Sequence, residues 1–141
     1  MRKMIGFTGL AGSGKDSAAN ALRYHGWETI RCADPVKDAI SSLLGVTRVQ
    51  LEDRVYKETL LPVIAKSPRD LMISLASTWG REMVHPDIWS MALADRLARS
   101  NANIVIPDVR FENEAIAIIE AGGLIAEVIR RSEEHTSELQ S

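Results

Sequence analysis

Cysteine is nearly absent from this 141-residue chain. Cys32 stands alone, so no internal disulfide can form, and no other Cys or His lies near it at a metal-binding spacing. A buried thiol at a strand end is its expected role, and a reducing cytoplasm is the expected compartment. Long apolar runs are missing too. No stretch of eighteen apolar residues occurs, and Met1-Arg2-Lys3-Met4 leads into a short strand rather than a signal-peptide core, so no membrane partner is expected. Basic excess is the third absence. With 17 Lys and Arg against 19 Asp and Glu, no basic run and no aromatic-basic interleaving, nothing calls for a nucleic-acid partner. No internal repeat or low-complexity linker divides the chain.

The final eleven residues, Arg131 to Ser141, read as the in-frame translation of a sequencing adapter. They carry no apolar periodicity and are expected to stay unpacked, so His135, Ser137 and Glu138 are not taken as a catalytic trio. Residues 1–130 are then expected to form one domain, cut short, with the natural chain continuing past Arg130. Setting aside Arg131, Glu133, Glu134 and Glu138 leaves sixteen basic and sixteen acidic residues, a net charge of zero.

What is present begins at Gly9-Leu10-Ala11-Gly12-Ser13-Gly14-Lys15-Asp16. This fits the phosphate-binding G-x-x-x-x-G-K pattern up to its last position, where Asp16 replaces the usual Ser or Thr and Ser17 follows. Met4 to Thr8 reads as a buried strand, and Asp16 to His25 as a helix closed by Gly26. A strand, a glycine-rich turn and a helix start aim backbone N–H groups at one point, where the helix dipole adds positive potential. Lys15 adds a full charge for the β- and γ-phosphates of a nucleoside triphosphate. A glycine-rich turn that binds nothing is the alternative.

Beyond the loop the elements alternate as in an α/β protein with a parallel sheet of about four strands flanked by helices. The second strand is expected over Glu28–Cys32. Asp34 then caps a helix from Val36 to Leu44, with Pro35 in its first position and Gly45 as its stop. Val46 to Ser67 is weakly periodic and highly charged, which predicts a mobile, solvated insertion. Ser67-Pro68-Arg69-Asp70 opens a helix whose apolar positions Leu71, Met72, Leu75, Trp79 and Met83 keep helical spacing. Another helix follows Pro86-Asp87. A buried strand is expected at Ile104–Ile106, a helix from about Asn113 to Ala121, and a last strand at Leu124–Ile129. The first strand is placed between the second and third, or close to them.

Polar residues gather where buried strands end, which is where open parallel sheets bind ligands. They are the loop with Lys15, then Asp34 with Lys37 and Asp38, then Asp108 with Arg110 and Glu114. Asp108 stands where a magnesium-associated acid belongs, with a helix-capping role as the alternative. Arg110 suits phosphate, or else pairs with Glu112 or Glu114.

These blocks, together with Ser67-Pro68-Arg69-Asp70-Leu71, Trp79-Gly80-Arg81-Glu82, His85-Pro86-Asp87-x-Trp89 and Asp108-Val109-Arg110-Phe111-x-Asn113-Glu114, resemble the phage-type deoxynucleoside monophosphate kinase family over residues 4 to 130. The resemblance implies a P-loop NTPase fold with an adenylate-kinase-like core. It also implies an enzyme, a cytoplasmic kinase that transfers the γ-phosphoryl group of ATP, with Mg²⁺, to a deoxynucleoside 5′-monophosphate. Gly9, Gly12, Ser13, Gly14, Lys15, Asp16 and Ser17 would hold ATP. Asp16, Ser17 and Asp108 would serve Mg²⁺. Asp34, Lys37, Arg69, Ser77, Trp89 and Arg110 would bind the acceptor, while Lys15, Asp16, Arg69, Asp108, Arg110 and Glu114 would act at the transferring phosphate. Ala76-Ser77 departs from the Gly-Thr pair usual in the family. The Lys-Asp form of the loop also resembles kinases of the phosphomevalonate type, and a non-catalytic ATP-binding module is the third reading. Trp79 and Trp89 favour a stacking nucleobase unless they are plain core. Monomer and homodimer both stay open.

Overall fold

Four parallel strands organise the computed structural model, which describes residues 2–130; the expectation for residues 131–141 lies outside them. In chain order the elements are β1 (Met4–Thr8), α1 (Lys15–Tyr24), β2 (Glu28–Thr29), α2 (Asp34–Leu44), α3 (Arg48–Glu52) and α4 (Arg54–Glu58). Then come α5 (Pro68–Ile73), a wider π-helical stretch at Ser74–Val84, α6 (Ile88–Ala98), β3 (Ile104–Ile106), α7 (Glu112–Glu120) and β4 (Leu124–Glu127). The chain divides into two units, one made of the described residues of Met1–Arg31 and Ala94–Ser141, the other of Cys32–Leu93.

The first unit holds the whole sheet. Ile104, Val105 and Ile106 have no exposed surface, as a central parallel strand covered on both faces requires. Each such side chain contributes about 1.5–3 kcal/mol by leaving water. Side chains alternate across the strands and so sort the helices by face. On one face Phe7 and Val105 pack with Ala19 of α1, ringed by Ile5, Leu22, Ala126 and Val128. On the other face Gly6 leaves room for α7. A Cβ there would stand 2.9 Å from Ile118 Cδ1, Ile125 Cδ1 and Val109 Cγ2.

The strand order is β2-β3-β1-β4, so β1 lies between β3 and β4 rather than beside β2. The most buried strand, β3, takes the place next to β1 and pushes β2 outward. Two strands are also shorter than their apolar runs. Ile30 still donates to Val105 O, but β3 then reaches Pro107, which has no N–H to carry the ladder on. Val128 still donates to Thr8 O, after which β1 turns away at Gly9.

The second unit corrects two local expectations and adds short helices to a third segment. Asp34 is the first residue of α2, not its cap; Ala33 holds the cap position without a side-chain bond. The charged stretch after Gly45 is not featureless. Thr47 forms a reciprocal capping box with Gln50 to start α3, Asp53 accepts from the Tyr56 N–H to start α4, and Leu51 is fully buried. The helix begun at Pro68 is α-helical only to Ile73 and then widens. His85 N–H donates to Gly80 O, five residues back, at 3.0 Å. The Trp89 indole explains why Gly80 sits in that stretch. A Cβ on Gly80 would be 2.7 Å from Trp89 Nε1, and Nε1 donates to Ala76 O at 2.8 Å. Met83 is exposed despite its helical spacing.

The start of α5 does match its sequence signature. Ser67 N–H donates to Asp70 Oδ2 at 2.9 Å, and Asp70 N–H donates to Ser67 Oγ at 3.1 Å. The backbone and hydroxyl of Ser67 hold the Asp70 carboxyl below its ordinary value of 3.8. A depressed carboxylate pKa adds stability that is present above the unfolded value and lost as pH falls through the folded one. Acid titration of unfolding should therefore show a loss below pH 3.8 that Asp70→Asn flattens. Parallel curves for the two proteins would remove this role for Asp70.

Candidate functional site

β1 is followed by a crossover to β2 on one side, β3 by a crossover to β4 on the other, and β1 and β3 are neighbours. Their carboxyl ends therefore flank a topological switch point, the place where open α/β sheets bind ligands. Two segments meet there. The first is the glycine-rich loop after Thr8, and the second is Pro107–Phe111, whose Val109 N–H donates to Phe7 O at 3.2 Å.

The loop has the shape its sequence calls for. Gly9, Gly12 and Gly14 have φ of 148°, 77° and 101°, all positive. Gly14 is the cap of α1 and offers no side-chain acceptor. The first intrahelical bond is Ala18 N–H to Gly14 O at 2.9 Å, so the amides of Lys15, Asp16 and Ser17 have no partner within the helix. Those three N–H groups and the helix dipole favour an anion. Ser13 adds a buried hydroxyl with no hydrogen-bond partner among the described residues. Lys15 is half-buried and makes no ion pair among them. Asp16 points to solvent and meets Arg31 Nη1 at 3.5 Å; Ser17 is exposed.

At the other wall, Glu114 is buried, and its Oε1 accepts the N–H groups of Arg110 and Phe111, each at 3.0 Å. Glu114 thus pins the turn after β3 through the backbone, and the place of the cap of α7 falls to Phe111 rather than Asp108. Arg110 is exposed, and its guanidinium makes no ion pair with Glu112 or Glu114 among the described residues. Asp108 is half-buried. Lys15, Asp108 and Arg110 all lie at the carboxyl end of the sheet.

The remaining expected residues belong to the second unit. Asp34 Oδ1 accepts from Arg48 Nη2 at 3.0 Å, Asp38 Oδ1 from Arg48 Nη1 at 2.6 Å, and Lys37 meets Glu52 at 2.9 Å. Partial burial opposes the charge on Arg48, but the bonds to Asp38 and Asp34 outweigh it and raise its pKa. Arg69 pairs with Glu58 at 3.0 Å, with both side chains more than half exposed, a contact worth about 0–1 kcal/mol and easily exchanged. Ser77 is half-buried within the π-helical stretch. Trp89 stands 6.2 Å from Trp79, ring centre to ring centre, and is committed to Gly80 and Ala76.

Sequence reading passed over two residues, Arg31 and Arg48. Neither sits in a motif. A lone arginine among charged neighbours reads as solvated until its partners, fifteen and fourteen positions away, come into view.

No protein-family model and no curated protein matches this chain.

Chemically, the switch point can hold a polyanion on backbone amides and two cations. Among the described residues no three His, Cys, Asp or Glu side chains gather as a metal cage. Magnesium does not need one, since one or two carboxylates together with substrate phosphates suffice. The hard oxygen donors of Asp16, Ser17 and Asp108 fit that requirement.

Proposed function

We propose that the chain binds ATP at the carboxyl end of its sheet and transfers the γ-phosphoryl group to the phosphate of a deoxynucleoside 5′-monophosphate. The observation that carries this reading is the loop after β1: three positive-φ glycines and an uncapped helix start, with Lys15 unpaired among the described residues, at the switch point of a parallel sheet. That geometry is what a P-loop NTPase needs, and the motif blocks point to the kinase class.

In this reading the amides of residues 15–17 and the Lys15 ammonium hold the β- and γ-phosphates. Arg110 offers a planar fork to phosphate oxygens at the other wall, on a turn fixed by Glu114. Mg²⁺, held by Asp16, Ser17 and Asp108, neutralises phosphate charge when bound. Arg69, Asp34, Lys37, Ser77 and Trp89 are assigned to the acceptor. The acceptor oxygen is already ionised at neutral pH, so no general base is needed. It forms a bond to the γ-phosphorus while the bond to the bridging oxygen breaks and ADP leaves. Aligning two polyanions and neutralising their charge is the protein's task.

Trp89 supports a second reading. Its indole is held by Ala76 and Gly80, which weakens it as a platform for a nucleobase and keeps a small non-nucleotide phosphate acceptor in play. A coupled ADP-release assay over the deoxynucleoside monophosphates and mevalonate phosphate separates the two. We expect turnover with one or more deoxynucleotides and none with the aliphatic phosphate. ATP-dependent thermal stabilisation without turnover on any acceptor would leave only a binding module.

A further inference from the structure

Asp16 creates a problem that the loop itself does not solve. It is the second residue of α1, so its carboxylate lies at the positive end of the helix, where the phosphates of a triphosphate would also lie. A carboxylate there both competes for the helix dipole and repels the ligand. The first unit provides one answer next to it. Arg31 follows directly on the last ladder bond of β2, from Ile30 N–H to Val105 O, and its Nη1 is 3.5 Å from Asp16 Oδ1. The backbone of Arg31 is itself anchored, because its carbonyl accepts from Arg96 Nη1 at 2.7 Å. An anchored backbone with a long, loose ion pair is suited to exchange. Asp16 is 78% exposed on its side chain and free to turn toward a solvated cation, whereas Arg31 is only 35% exposed.

We propose that Arg31 is a positioning residue of the triphosphate site, neutralising Asp16 and holding its carboxylate off the phosphates until a divalent cation takes that task over. This rests on the nucleotide-binding reading above and extends it to a residue outside every motif.

Calorimetric titration of the full chain with ATP, with and without Mg²⁺, tests it. A triphosphate carries several charges, so a carboxylate left uncompensated beside it repels more than one of them. Arg31→Ala should therefore weaken metal-free ATP binding by about tenfold. The loss should be smaller, about threefold or less, with Mg²⁺ present, since the cation then faces Asp16. Adding Asp16→Asn to Arg31→Ala should bring metal-free affinity back to within about twofold of the parent, and Arg31→Lys should bind nearly as the parent does. Should the alanine variant fold poorly, Arg31→Gln carries the same comparison. An equal loss with and without Mg²⁺, or no rescue by Asp16→Asn, overturns the role, as does unchanged binding by Arg31→Ala. A parent chain that binds no ATP overturns the nucleotide reading and this inference together. Parent binding that disappears in Lys15→Ala yet is untouched in every Arg31 variant leaves the site standing and removes only Arg31.

Discussion

Replacing Lys15 by alanine is expected to leave the fold intact and to lower phosphoryl transfer by roughly 10²–10³-fold, the usual effect of removing one preorganised group that meets transition-state charge. Stability should hardly change, because Lys15 is half-buried at a helix start and makes no ion pair among the described residues. Its removal strands no partner charge and opens no cavity in the cluster of Phe7, Ala19 and Val105. The effect should appear in kcat as well as in ATP affinity, since the γ-phosphoryl oxygens share more charge with the site during transfer than before it. Circular dichroism and melting temperature serve as the controls. A variant with unchanged spectra and undiminished turnover would falsify the assignment of this loop.

How much of this could be read in advance differs between the two units, for physical reasons. In the first unit the signals are local and mutually consistent. An apolar pentapeptide, three glycines and a lysine place β1, the loop and α1 within a residue of their observed bounds, and the apolar triplet Ile104–Ile106 is β3. What escaped is pairing. Nothing local says that β3 lies between β1 and β2, because order in a parallel sheet is decided by which strand must be covered on both sides. Strand ends were overestimated for a related reason: an apolar run continues past the point where the neighbouring strand runs out of partners, as at Pro107.

In the second unit several decisive contacts join residues nine or more positions apart. Arg48 ties Asp34 and Asp38 of α2 to the start of α3, so a charged stretch that is largely solvent-facing, as it reads, also carries short helices around the buried Leu51. Periodicity also misled between Leu75 and Met83. The spacing is that of an α-helix, but close approach of Trp89 to Gly80 accompanies a wider turn. Of the residues singled out in advance, Gly9 to Ser17, Asp108 and Arg110 do follow the carboxyl ends of β1 and β3, a placement that loop chemistry and strand ends announce. The backbone role of Glu114 was not, since the motif shows a carboxylate near an arginine and cannot show that it bonds the amide instead of the guanidinium.

Gly9→Ala is expected to be the most damaging single change in the loop, lowering stability by about 2–4 kcal/mol and removing ATP binding with it. Two costs coincide at this position. The backbone has φ +148°, a conformation an L-residue with a Cβ rarely adopts. The added methyl would also lie 2.6 Å from the Val128 carbonyl oxygen and 2.9 Å from Ser13 Oγ. The first obstacle is backbone, so no rotamer change relieves it. That carbonyl belongs to the residue whose N–H donates to Thr8 O, so moving it pulls on the end of the sheet. The second obstacle is the buried hydroxyl at the centre of the loop, so relief by that route displaces the cradle itself. Gly12→Ala supplies the matched control. Gly12 also has positive φ, +77°, but a Cβ there meets nothing within 4 Å, leaving only the conformational cost of about 1–2 kcal/mol. Urea unfolding of the two variants beside the parent separates strain from collision. A larger loss for Gly9→Ala, with ATP-induced stabilisation gone, places the contact with Val128 among the constraints on the loop. Equal losses in the two variants would show that conformation alone sets the demand for glycine here.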